Sequence, residues 1–141
     1  MVNRSLVSSK LAELAERVAR IRAHGAATAD ELKADPDAFD VVSFNLMLAV
    51  QICADVASHL IADERWPAAK NIAESFTRLE QQGVIDVPVA DALRRAAGLR
   101  NVVAHGYGGV DPVAVYEAAT RGIADLEAFA RAVASWLATR R

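Results

Sequence analysis

Cysteine is nearly absent from this chain of 141 residues, and the single Cys53 has no second thiol with which to form an internal disulfide. It lies in an apolar run, where a lone cysteine reads as a small core residue rather than a reactive group. Aromatic residues are also few, 6% of the chain against 53% hydrophobic overall. A core short of large rings must be filled by aliphatic side chains, and alanine supplies much of the apolar count. Small side chains let helices approach closely and alanine is the strongest helix former. The composition therefore points to an all-α, antiparallel helical bundle, with no hint of a sheet.

Excess positive charge is missing too: Lys and Arg number 16, Asp and Glu 18, for a net charge of −2. That argues against a protein that coats nucleic acid non-specifically, because such affinity comes from neutralising phosphates. An RNA substrate would need a local patch, and Arg94, Arg95 and Arg100 are the candidates for it. The N-terminus lacks an apolar stretch behind a basic start. The longest uncharged span, 41–54, is too short to cross a bilayer and contains Asn45 and Gln51. The expectation is one soluble, cytoplasmic domain over residues 1–141, without repeats or low-complexity tracts.

Hydrophobic spacing predicts about five helices. Leu11, Leu14, Val18 and Ile21 form a narrow stripe on a helix over 3–24, ended by Gly25, and the acidic connection that follows has room for a short helical turn. A second helix over 38–63 is apolar around most of its circumference, which requires cover on most sides and so predicts the bundle centre and a subunit interface. One polar lane crosses it, Gln51, Asp55 and His59. These are either its wetted face, or Asp55 and His59 line a functional groove; two such ligands alone are a poor metal site. Trp66-Pro67 is expected to open a third helix that stops at Gly83. Asp86 and Pro88 start a fourth, with Val89, Leu93, Ala96 and Val103 inward. Asp111-Pro112 starts a fifth, whose Tyr116, Ala119, Ile123, Leu126, Ala130, Val133 and Leu137 form a heptad-like seam.

The fourth helix ends in Arg100-Asn101-Val102-Val103-Ala104-His105-Gly106-Tyr107, which gathers an arginine, a histidine and a tyrosine at one helix terminus. Partial negative charge at a helix C-terminus favours a protonated imidazole, an expectation for His105 that suits proton transfer. At about 100° per residue Asn101 shares a face with His105, while Arg100 lies roughly 140° round and must reach by its length.

Arginine, four residues, histidine, one residue and tyrosine, in an all-helical chain of this size, resembles the signature of the HEPN superfamily and specifically of HepT-like ribonuclease toxins. Asn101 fills the place after the arginine where that family usually carries asparagine, and the regions of Val84, Ile85 and Tyr116 are also similar. The resemblance implies a metal-independent endoribonuclease without cofactors, acting as a homodimer in which Arg100 and His105 of two protomers line one cleft. It further implies a nucleotidyltransferase antitoxin as partner, with Tyr107 as the residue that receives AMP. Asn101, Asp55 and His59 are the candidate supporting residues. The alternative is a non-catalytic helical adaptor of a nucleotidyltransferase, in which Arg100 and His105 hold nucleotide phosphate.

Overall fold

A computed structural model describes residues 2–106 and 109–140, and every regular element among them is helical. The order is α1 Arg4–Ala23, α2 Ala29–Ala34, α3 Pro36–Asp63, α4 Ile72–Gln81, α5 Val87–His105 and α6 Pro112–Ala138. The expected five helices become six because the acidic connection folds as α2. Thr28 caps it by accepting from the Glu31 amide at 3.1 Å, and Glu31 returns a contact to the Ala27 amide at 3.1 Å. Reciprocal capping of this kind satisfies donors that a six-residue helix would otherwise leave open.

The third expected helix also starts later than Trp66-Pro67. Asn71 is its cap, accepting from the Glu74 amide at 2.8 Å, while Glu74 accepts from the Lys70 amide at 3.0 Å. The preceding loop is held instead by Arg78, which donates to the carbonyls of Pro67 and Ala68 at 2.7 and 3.2 Å. Proline was compatible with a first turn, but the side chain that can accept the orphan amides lies four residues further on. At the far end Gly83, at φ 75°, closes α4 with its amide on Glu80 O and the Val84 amide on Leu79 O. This is a Schellman arrangement, at the glycine where the helix was expected to stop.

Helix α3 packs against each of the other five helices. It is long and apolar enough to cross a membrane by length and composition, with 61% of its most apolar window buried. Its apolar circumference is used as the bundle centre. Val42, Ala49, Cys53, Val56, Ala57 and Leu60 are fully enclosed, and Leu14, Ile21, Phe76, Leu93 and Phe129 close over them from the surrounding helices. Most of the α6 seam is inward as expected, with Ile123, Leu126, Val133 and Leu137 buried. Burial of this aliphatic surface, worth about 1.5–3 kcal/mol per large side chain, holds α3 in place and fixes the frame on which α5 lies.

Candidate functional site

Helix α5 begins at its expected cap, Asp86, which accepts from the Val89 amide at 3.0 Å. Its buried positions are Ala90, Ala92, Leu93 and Ala97, with Val89, Ala96 and Val103 only half-buried. The inward face is therefore centred on Ala90, Leu93 and Ala97, somewhat rotated from the face that the larger residues mark. Arg100 continues that line at the next helical step, seven residues beyond Leu93. This is why it is half-buried and turned to α3 rather than splayed into solvent.

There it meets the polar lane of α3. Arg100 Nη2 donates to Gln51 Oε1 at 2.8 Å, and Nη1 donates to Asn101 Oδ1 at 3.1 Å. Gln51 Nε2 donates in turn to Asp55 Oδ1 at 3.0 Å, and Asp55 Oδ2 lies 3.7 Å from Lys10 Nζ on α1. Arg100 Nε is buried and finds no partner among the described residues. A guanidinium carries five N–H donors, so one N–H on each terminal nitrogen is left for a further acceptor. A planar cation with donors to spare is suited to grip the oxygens of a phosphate.

His105 is the last residue of α5 and is exposed, as is Asn101 one turn before it. The chain leaves the helix at Gly106, φ −83° and ψ 86°. Beside this exit lies a groove of about 450 Å³, between Phe39, Ser43, Phe44 and Met47 of α3 and Val103, Ala104 and Gly106. With Arg100 on Gln51 and Gly106 near Phe39, α5 runs antiparallel to α3. A larger groove of about 730 Å³ between α1 and α6 contains none of the signature residues. Tyr107, to which the resemblance assigns the AMP, lies outside the described residues.

The supporting candidates separate. Asn101 and Asp55 join the Arg100 network, Asp55 through Gln51, whereas His59 makes no side-chain hydrogen bond among the described residues. Gln51 is the residue that spacing alone did not nominate, although it heads the polar lane at a step of four from Asp55. The three candidate arginines are separated. Arg94 is tied to Thr77 and Glu80 at 3.1 Å each and to Asp91, and the hydrogen bond with Asp91 foremost, then that with Glu80, raises its pKa. Arg95 lines a groove with Glu117 and Arg121 of α6. Three positions on one helix thus face three different neighbours, and Arg100 alone meets the polar lane.

A family model for ribonuclease HepT-like proteins matches residues 12–133. The chain belongs to the HepT-like ribonuclease family. It is similar to the mRNA nuclease HepT of Shewanella oneidensis strain MR-1, with 27% identity over 125 residues, 88% of this chain and 92% of the relative. The fold resembles that of a tri-AMPylated HEPN toxin from Shewanella oneidensis, solved in complex with an MNT antitoxin. The TM-score is 0.86 at 25% identity, covering 96% of this chain and 99% of that one. A toxin-antitoxin structure with AMP-PNP shares the fold as well, at TM-score 0.87 and 24% identity over 94% of this chain and 99% of the other. The HepT-like chain is thus an enzyme of the ribonuclease class, and half-buried Arg100 and exposed His105 lie in the last two turns of α5.

Proposed function

We propose that this HepT-like chain is a metal-independent endoribonuclease toxin that works as a homodimer, with Arg100 and His105 of each subunit facing a shared cleft. The observation that carries this reading is the arginine held at Gln51 with two N–H groups left over, five residues before an exposed histidine, in a chain of a ribonuclease family. In the cleavage step a base removes the proton of a ribose 2′-hydroxyl. The 2′-oxygen then bonds to the adjacent phosphorus, and the bond from phosphorus to the 5′-oxygen breaks as an acid protonates the leaving oxygen. The products are a 2′,3′-cyclic phosphate and a 5′-hydroxyl. A positioned imidazole contributes about 10²- to 10⁴-fold as base or acid, and a guanidinium stabilises the charge that builds on the non-bridging oxygens.

One imidazole does not easily serve as base and acid in the same turnover, and a second copy of the chain supplies the other. Support for such a dimer comes from apolar surface beside the signature that the bundle leaves uncovered, Phe44 at 53% and Val102 at 44% exposure. The solved HEPN toxin in complex with an MNT antitoxin supports a nucleotidyltransferase as the partner. Its AMPylation is the reason to place AMP on Tyr107 here. An added phosphate beside the cleft would compete for Arg100 and block RNA.

The test is cleavage of single-stranded and structured RNA by the purified protein in EDTA. His105→Ala and Arg100→Ala are expected to lose cleavage while keeping the fold and the dimer. Equal cleavage by wild type and His105→Ala would remove the histidine from the mechanism. Tight binding to a nucleotidyltransferase with no RNA turnover by wild type would establish the adaptor reading instead. With a nucleotidyltransferase and ATP, AMP-sized mass is expected on wild type and not on Tyr107→Phe.

A further inference from the structure

The Gln51 side chain stands between a group that only donates and a group that only accepts. Arg100 Nη2 donates to its Oε1 at 2.8 Å and its Nε2 donates to Asp55 Oδ1 at 3.0 Å. A guanidinium has no acceptor and a carboxylate no donor, so only one orientation of the amide satisfies both contacts. The other oxygen of the carboxylate lies 3.7 Å from Lys10 Nζ, which also lies 3.5 Å from Glu13 Oε2. A line of polar contacts therefore runs from α1 through α3 to the one arginine of the signature.

We propose that Gln51 is a positioning residue for the nuclease: it fixes the direction of the Arg100 guanidinium without cancelling its charge, and Asp55 fixes Gln51. The proposal rests on the ribonuclease reading above. The choice of a neutral amide is its core. A carboxylate in the same place would bind the guanidinium more strongly through a charge-assisted bond, yet it would neutralise the cation that has to meet a phosphate. Asp55 supplies the anchoring charge at one remove, paired with Lys10, so Arg100 is oriented by a dipole and keeps its full positive charge. With Asn101 on Nη1, Gln51 on Nη2 and Nε enclosed, one N–H on each terminal nitrogen is left for a phosphate.

The experiment compares wild type, Gln51→Ala and Gln51→Glu in steady-state RNA cleavage, in thermal unfolding, and in binding of a 2′-deoxy oligonucleotide that resists the reaction. Loss of orientation in Gln51→Ala is expected to lower kcat about 10- to 100-fold with little change in KM or unfolding midpoint. Gln51→Glu, the nearer match in shape, is expected to be the more damaging of the two and to weaken oligonucleotide binding, because its carboxylate competes with phosphate. Because Gln51→Glu also sets a carboxylate against Asp55 Oδ1, a purely structural role predicts that turnover falls only where the unfolding midpoint falls with it, and Gln51→Glu with wild-type turnover and binding would overturn the proposal. Should Gln51→Ala fail to fold, Gln51→Glu carries the test alone, since it keeps a partner for Arg100. If wild type leaves RNA intact, the nuclease reading fails by itself. Oligonucleotide binding then decides the role of Gln51: weaker in Gln51→Glu supports it, and equal binding overturns it.

Discussion

A Cβ on Gly106 would lie 2.0 Å from the carbonyl oxygen of Val102 and 3.0 Å from Val110 Cγ2. The carbonyl belongs to the last turn of α5, so no rotamer change relieves the clash and the backbone after His105 has to move. Gly106→Ala is therefore expected to lower RNA cleavage by about tenfold or more, since displacement of a reacting group by an ångström is enough for that. The accompanying stability loss should be about 1–3 kcal/mol. Cleavage assays alongside denaturant titration check it, and a variant with wild-type turnover would show that the helix exit does not fix His105.

How far the sequence could be read is seen by comparing α3 with α5. The apolar circumference of α3 announced a central helix, and the other five helices do enclose it. For α5 the same logic found Leu93 and placed Val89 against the core but passed over Ala90, Ala92 and Ala97, because large residues such as Val89 and Val103 outweigh alanine in any hydrophobicity pattern. The helix packs on Ala90, Leu93 and Ala97, where small side chains permit close approach. That packing aligns Arg100 with the core and brings it to Gln51. Spacing identified the arginine and the histidine; the partner on another helix needed tertiary structure, since no local pattern links residues 51 and 100. The false start at Trp66-Pro67 has a similar cause, as the loop is held by Arg78 from the following helix.

Phe76 and Phe129 are fully buried and meet edge to face, with centroids 6.0 Å apart and planes at 79°. The contact joins α4 to α6 across the core. Phe76→Ala is expected to cost about 3–5 kcal/mol through lost burial and the cavity left behind. A double-mutant cycle with Phe76→Leu and Phe129→Leu should return a coupling of about 0.5–1.5 kcal/mol. Additive losses in urea unfolding would show that the rings contribute area only.

Helix α3 ends as α4 does, but with a side chain where α4 has glycine. Arg65 sits at φ 57°, its amide on Ala62 O at 3.2 Å, and the Trp66 amide on Ile61 O at 2.9 Å. The left-handed conformation costs an L-residue about 1–2 kcal/mol, which glycine avoids. Arg65 is exposed, so its replacement empties no space in the core. Arg65→Gly is expected to raise the unfolding free energy by up to about 1 kcal/mol, offset in part by greater freedom of the unfolded chain. A lower unfolding midpoint would mean that the arginine side chain makes a compensating contact.

Cys53 gives a pH dependence with a definite sign. The thiol is fully buried in α3, and desolvation pushes its pKa well above the ordinary value near 9. As pH rises through about 9 the unfolded chain loses the thiol proton while the folded chain keeps it. The folded state then binds more protons, so this group's contribution to stability falls with increasing pH, by at most about 1.4 kcal/mol per unit. Below the unfolded pKa the contribution is fully present, which predicts little change from this group between pH 7 and 8. Unfolding midpoints of wild type and Cys53→Ala measured from pH 7 to 10 should diverge in slope only above about pH 8.5. Iodoacetamide at pH 8 should label wild type slowly until denaturant is added. Parallel slopes, together with rapid labelling of the folded protein, would show that the thiol is reached by solvent.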